Sequence, residues 1–576
     1  MYFSLRLDHL LDAMGFLRDS WLACAVLATS TSLSQTAATR QVTLEGYGAF
    51  VGTTIDQTLT KKPLPAPVDA WLGIDYASQP TGDNRFAPIG PPTQFSGVKN
   101  ATQYGYTCIQ DPATNTYAMD EACLNMNVFR PQNASSDSRL PVLIWIHGGS
   151  FVGGSARSFD GPSFVANAKE PLIVVNFNYR INSLGFLPHP IFERLGLLNL
   201  GLRDQKMLFE FVQQHIHAFG GDPSHVTIGG RSAGAHSVGI HLFHNYKKTE
   251  GASPLFSQAI LQSGSVTART LPNASYPLYL DQFAQFTDLV GCSNVANSTD
   301  AAVIGCLRAA PIDLIQNASS LMYRESEYSI TWPFQPTKGG PLMEQAGSIS
   351  GANGQFYHIP TMTTNVRDEA KYYTPGDITT NAEFLSYMKT LIPGLTTQDL
   401  SDLESLYPDP ALDINGPYAY SPNSTQYERL SAAVSDFMYI CPSQETAVRM
   451  SAANVSVYKM RFATNNTFPS WRGIPHTADT KYTWAEPGGE GGVQYPDVAK
   501  LHHGYLSNFV VHGDPNGSGM NGMLKWPRYV DANEVGEPGL QIRIEPFGNS
   551  VLESDGHRRE QCEWWRDLER AERIGK

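Results

Sequence analysis

The sequence predicts an α/β protein in which one large, mostly parallel sheet is covered by helices on both sides. Three observations carry that reading. Apolar, β-branched runs alternate with stretches of helical spacing, a Gly-X-Ser-X-Gly turn stands between a strand and a helix, and a glycine-rich loop leaves a second strand.

The runs at 142–147 (VLIWIH) and 172–177 (LIVVNF) are largely apolar on both alternating faces, as strands buried between two helical layers must be. Residues 202–215 place Leu202, Met207, Leu208, Phe211 and Val212 at helical spacing, and 226–228 resumes as strand. The segment 276–350 is more polar and helical, an excursion over the sheet. From Val42 onward there is no linker, repeat or low-complexity tract, and the 50 Gly and 38 Pro are scattered as punctuation of short loops. Length alone would suggest three or four domains, but this continuity favours one domain over 39–576. With 27 Phe, 26 Tyr and 9 Trp there is ample material for a large core, which excludes general disorder. A net charge of −13 and the lack of any Lys/Arg-rich patch argue against a nucleic-acid partner.

The N-terminus reads as a signal peptide within 1–38. Arg18 precedes an apolar run at 21–28 (WLACAVLA), and small residues follow at Ser32, Ser34, Ala37 and Ala38. The run is too short for a membrane span of about 20 residues, and no other segment is apolar for that long, so no stable membrane anchor is expected. The stretch before it is unusually long and holds Asp8 and Asp12; a start at Met14 gives a more ordinary layout. The alternative is a buried N-terminal helix. Asn-X-Ser/Thr sequons at Asn100, Asn133, Asn273, Asn297, Asn317, Asn423, Asn454, Asn465 and Asn516 suit a secretory surface.

The sharpest chemical feature is Gly230-Arg231-Ser232-Ala233-Gly234, directly after 226–228. Strand, Gly-X-Ser-X-Gly, helix is the arrangement that thrusts a serine hydroxyl out above a sheet, with glycines where a Cβ would collide. The following helix N-terminus favours developing negative charge. The strand at 142–147 runs into Gly148-Gly149-Ser150-Phe151-Val152-Gly153-Gly154, a loop able to aim backbone N–H groups at one oxyanion. It lacks the Gly-Lys-Ser/Thr ending of a nucleotide-binding loop.

These residues, with others in order, resemble the type-B carboxylesterase/lipase family, the cholinesterase-like α/β-hydrolases. The likeness includes Gly73-Ile74-Asp75-Tyr76-Ala77, Arg85-Phe86, Cys123-Leu124-Asn125-Met126-Asn127-Val128 and Asn199-Leu200-Gly201-Leu202-Arg203-Asp204-Gln205. It continues through Phe219-Gly220-Gly221-Asp222-Pro223, Gln262-Ser263-Gly264, Asn508-Phe509, Gly513-Asp514-Pro515-Asn516 and Trp526-Pro527. The resemblance implies an α/β-hydrolase fold and a secreted serine carboxylesterase acting on small-molecule esters without cofactor or metal. It implies Ser232 as nucleophile, Glu369 (in Asp368-Glu369-Ala370, where the family has Gly for Ala) as acid, and His476 (in Gly473-Ile474-Pro475-His476) as base. Backbone N–H groups of Gly149, Ser150 and Ala233 would form the oxyanion hole.

Asp368 competes with Glu369 as the acid. His215, His217, His225, His236, His241, His244, His502 and His503 compete by composition with His476, and no Cys or carboxylate cluster gives them metal-ligand spacing. Ser263 resembles a serine supporting the triad and reads equally as a core hydroxyl. Of the seven cysteines, the resemblance pairs Cys108 with Cys123, Cys292 with Cys306 and Cys441 with Cys562, leaving Cys24 in the signal peptide. On the chain-entropy model a loop of about 15 residues contributes roughly 3 kcal/mol and one near 100 about 4.7.

Two departures bear on substrate. The 14 residues between Cys108 and Cys123, with Asp111, Asp120 and Glu121, are a poor match to the long amphipathic lid of related lipases. They favour soluble esters over triglycerides. That loop has Tyr117 as its one aromatic, where cholinesterases carry a Trp, and a cation, Arg231, precedes the nucleophile, so choline esters are disfavoured. Arg231 would favour an anionic substrate unless a buried carboxylate pairs with it. The alternatives are a lipase acting on longer-chain acylglycerols, and a non-catalytic adhesion or binding protein on the same fold.

Overall fold

Runs of Val, Ile, Leu and Trp with two-residue alternation pair into a sheet whose two faces are both buried. The computed structural model describes residues 40–244, 254–295, 298–326, 332–488, 491–518, 520, 522–531 and 538–576. In chain order the strands are β1 (Gln41–Leu44), β2 (Gly48–Val51), β3 (Thr53–Gln57), β4 (Pro63–Asp75), β5 (Val98–Asn100), β6 (Asn125–Pro131) and β7 (Leu140–Ile146). There follow β8 (Ile173–Phe177), β9 (Gly221–Arg231), β10 (Gln258–Gln262), β11 (Thr361–Val366), β12 (Val457–Phe462), β13 (Leu540–Ile544) and β14 (Val551–Ser554). β1, β2 and β5 form a small three-stranded sheet, and the rest form one of 11 strands in the order β14-β13-β12-β11-β10-β9-β7-β8-β6-β4-β3. From β13 to β8 every neighbour is parallel. The outer pairs are antiparallel.

Side chains of β7 show why the sheet is a middle layer. Val142, Ile144 and Ile146 join one core, while Leu143 and Trp145 join the other. Helix Leu200–His215 covers the first face with Leu202, Leu208, Phe209 and Val212. Helix Pro496–His512 covers the second with Leu506, Phe509 and Val510. A third core forms from the helical stretch 381–452 and the C-terminal residues Cys562 and Trp565. This is the α/β-hydrolase architecture.

Chain order reverses at β7, with β8 laid on one side of it and β9 on the other. In open α/β sheets the crevice at such a reversal, beyond the carboxyl ends of the strands, is where ligands bind. The glycine-rich loop after β7 and Ser232 after β9 both leave the sheet there.

β9 is longer than the 226–228 core of its pattern, because Gly221 pairs with Leu140 across an irregularity in register. Cys108–Cys123, Cys292–Cys306 and Cys441–Cys562 are disulfide-bonded. Cys24, the signal peptide expected within 1–38, and Asn297 lie outside the described residues. Asn100, Asn133, Asn273, Asn317, Asn423 and Asn454 are exposed. Asn465 and Asn516 are not free in the same way. The Asn465 amide donates to the carbonyls of Phe468 and Gly473, and that of Asn516 to Asp514 and the Trp526 carbonyl, so a glycan there would forfeit turn-forming bonds. No helix among the described residues is long and apolar enough to cross a membrane.

Candidate active site

Ser232 is the single residue between β9 and the helix Ala233–Phe243, at φ 58° and ψ −127°. That backbone is strained for a residue with a Cβ. It is held by Ser232 N–H donating to the Gln262 carbonyl (2.9 Å) and His236 N–H donating to the Ser232 carbonyl (2.9 Å). The flanking glycines are required by close approach. A Cβ on Gly230 would lie 2.5 Å from the Gly234 carbonyl carbon, and one on Gly234 would lie 2.1 Å from the Ile146 oxygen.

The loop after β7 runs against this serine: a Cβ on Gly148 would stand 3.1 Å from the Ser232 Cβ. Gly149, Ser150 and Phe151 all have positive φ, and the N–H groups of Val152 and Gly153 both donate to the Gly149 carbonyl. The N–H groups of Gly149 and Ser150 donate to no backbone carbonyl among the described residues. Ala233, first in its helix, likewise has no intrahelical acceptor. Gln110 clamps the far end, its amide donating to the Gly154 carbonyl and accepting from the Gly154 N–H, each at 2.9 Å. His147 is buried and stacked on Tyr179 (4.4 Å), whose hydroxyl donates to the His147 carbonyl. It holds the loop as a neutral ring.

Glu369 follows β11 and is fully buried. Its Oε2 lies 2.6 Å from His476 Nδ1, while Oε1 accepts the Val366 N–H at 2.9 Å. The His476 N–H also donates to the Glu369 carbonyl. His476 Nε2 is buried and makes no hydrogen bond. Asp368 is turned elsewhere: its Oδ2 accepts from Ile474 N–H (2.8 Å) and Arg367 Nε (2.9 Å), stapling the two loops together. The His476 ring packs on Tyr439 (4.6 Å between centroids) and Tyr373 (5.5 Å). Tyr439 reaches it from a π-helical turn, Asp436–Ile440, a local widening that recurs at functional sites. Tyr439 also stacks on His236, one turn along the helix from Ser232, so the two halves of the site share one aromatic wall.

Three of the competing histidines are committed to other work. His241 meets the Gln205 amide, His502 the Thr483 hydroxyl and His503 the Thr483 carbonyl. Burial pushes His241 and His502 down to about 3, and His147 and His503 down to about 4. The unfolded chain therefore takes up these protons first. The stability contributed by these four rings is whole above pH 6.5 and is lost as pH falls toward 4, by about 1–2 kcal/mol each at pH 5. Thermal melts are expected to fall steadily from pH 7.5 to 5; a flat profile would contradict neutral burial.

Arg231 does not stand alone before Ser232. Its charge acts on Asp479, a buried carboxyl that also feels Glu369 and His476, and which burial pushes above the usual carboxylate range. The guanidinium Nε and Nη1 and Asp479 Oδ1 make no direct hydrogen bond. This opposing carboxyl weakens the case for Arg231 as a substrate anion site. The Ser263 hydroxyl is buried and unbonded beside the elbow. Sequence motifs gave no sign of Gln110, Tyr373, Tyr439 or Asp479, whose partners lie far away along the chain. No group of His, Cys, Asp and Glu among the described residues is arranged to hold a metal.

Fold and site together define an α/β-hydrolase with a serine at the strand–helix elbow. The chain belongs to the carboxylesterase family: the family model described as "Carboxylesterase family" matches residues 38–565. It is similar to a protein named Secreted lipase 4 from Gibberella zeae, 56% identical over 537 residues, covering 93% of this chain and 94% of that one. It is 28% identical to Lipase 1 of Geotrichum candidum over 541 residues, covering 85% and 91%. The crystal structure of Aspergillus niger EstA superposes with a TM-score of 0.79 at 26% identity, covering 92% of this chain and 98% of that one. The protein is a carboxylic ester hydrolase.

Proposed function

We propose that the protein is a secreted serine carboxylesterase working through an acyl-enzyme at Ser232. The observation that carries this is the 2.6 Å bond between Glu369 Oε2 and His476 Nδ1, which assigns the ring proton to Nδ1 and leaves the buried, unbonded Nε2 as the free base. The Ser232 hydroxyl attacks the ester carbonyl and passes its proton to His476 Nε2. The N–H groups of Gly149, Ser150 and Ala233 receive the oxyanion, and the alcohol leaves with the proton from His476. Water then repeats the cycle to release the acid. Secretion is supported by the name of the Gibberella zeae relative.

Soluble esters are the preferred class. The loop from Cys108 to Cys123 is pinned as well as short: Asp111 pairs with Arg324 (2.6 Å), Arg157 lies on the Tyr117 ring (4.4 Å) and Asn182 holds the Ile109 carbonyl. A loop fixed this way offers little apolar surface to an oil interface. The lipase reading is favoured by the names of the relatives. Hydrolysis of p-nitrophenyl esters of increasing chain length, with and without emulsion, separates the two. Rates are expected to peak at short acyl chains with no jump at the interface; a jump with long chains would establish the lipase. An organophosphonate is expected to label Ser232, and a folded protein left unlabelled would rule out both.

A further inference from the structure

Beside the candidate site lies a cavity lined by Arg269, Trp332, Tyr276, Leu391, Phe437 and Met438 among others. Its walls are largely apolar and aromatic, with Thr270, Gln335 and Thr390 as neutral polar groups and Arg269 as the one cation. Arg269 is 3% exposed, and its Nε and Nη1 carry no hydrogen bond. Among the described residues it forms no ion pair with a carboxylate. The guanidinium rests on the Trp332 face at 4.0 Å from the ring centroid and 5.8 Å from that of Phe151. The titratable groups that feel its charge are His236, Tyr279, Tyr373 and Tyr439. Burial keeps each of these uncharged in the fold.

A buried guanidinium without a carboxylate is expensive, and aromatic faces offset only part of that. In most folds such a charge is paired, so an unpaired one lining a cavity points to an anion that arrives from outside. Its position says which anion. Phe151, under the guanidinium, directly follows Ser150 of the glycine-rich loop, and Met438 in the cavity wall directly precedes Tyr439, which packs on His476. Arg269 thus touches the glycine-rich loop through Phe151, and its charge reaches His236 and Tyr439 of the aromatic wall beside His476. The buried, unbonded Thr270 hydroxyl lines the same cavity and supplies a second donor.

We infer that this cavity is a subsite for a carboxylate carried by the substrate, anchored by Arg269, so that the enzyme prefers esters bearing a free acid group. The inference rests on Ser232 acting as the nucleophile. It differs from the expectation attached to Arg231, whose charge already faces Asp479.

The test compares matched esters on the intact protein. Mono-4-nitrophenyl adipate is set against 4-nitrophenyl hexanoate, and hexanoyl 4-hydroxybenzoate against its methyl ester, so that the carboxylate sits on the acyl side in one pair and on the alcohol side in the other. In at least one pair kcat/KM is expected to favour the acid by roughly ten- to hundredfold. In Arg269→Met that ratio is expected to collapse toward one, and Arg269→Lys is expected to retain part of it. Free adipate is expected to inhibit the wild-type protein competitively, which keeps the inference testable if Arg269→Met does not fold. Ratios near one in both pairs, or a preference that survives in Arg269→Met, would overturn it. If no ester is turned over and Ser232 resists labelling, the failure belongs to the nucleophile assignment. If neutral esters are cleaved without acid preference and adipate does not compete, it belongs to the subsite.

Discussion

Replacing Ser232 with alanine is expected to lower kcat for ester hydrolysis by about 10⁶-fold, with little change in KM or in the melting temperature. The elbow makes the prediction specific. Alanine keeps the Cβ and can be held at the same strained φ by the Gln262 and His236 backbone bonds, so the helix and the glycine-rich loop stay in place. What is lost is the hydroxyl of the residue whose Cβ packs against Gly148. Residual hydrolysis would come from the loop N–H groups and substrate positioning alone, which leave a measurable excess over water. Covalent labelling by an organophosphonate should vanish in the same variant. A rate within tenfold of the parent would show that another residue carries the chemistry, and the buried, unbonded hydroxyl of Ser263 would be the first to test.

Some of this site was written locally in the chain and some was not. The elbow is legible because its needs are satisfied within five residues: strand, glycine, serine, glycine, helix. The loop after β7 is legible for the same reason, since its four glycines fall within residues 148–154. Glu369 and His476 are different. Nothing in their spacing ties them together, and only family resemblance singled them out; in the fold, the carboxylate beside Glu369, Asp368, is spent on the Ile474 N–H instead. Tyr439 is invisible in the sequence because a π-helical turn, with no periodic signature, turns it onto His476. Gln110 braces Gly154 from 44 residues away, and Arg269 lies in a segment with no pattern of its own. β4 defeats propensity outright: Pro63, Pro65 and Pro67 lie within a 13-residue strand, tolerated at its exposed end next to the edge strand β3.

Glu369→Gln is expected to cost about 10⁴-fold in kcat although it removes no volume. The reason lies in the two partners of the carboxylate. One oxygen must accept the Val366 N–H, and the other accepts from His476 Nδ1. A glutamine can supply only one acceptor, and the backbone N–H, fixed at the end of β11, takes it. The amide NH₂ then faces His476 Nδ1 and donates to it, which places the imidazole proton on Nε2. In that tautomer Nε2 has no lone pair free for the Ser232 proton, so the base is present but occupied. The geometry predicts a companion result: Glu369→Asp, which keeps the charge but shortens the reach, should retain more activity than Glu369→Gln. Because Glu369 is fully buried, both variants need a melting curve beside the rate. A glutamine variant that folds and turns over at near-parental rate would mean that Glu369 does not set the tautomer of His476.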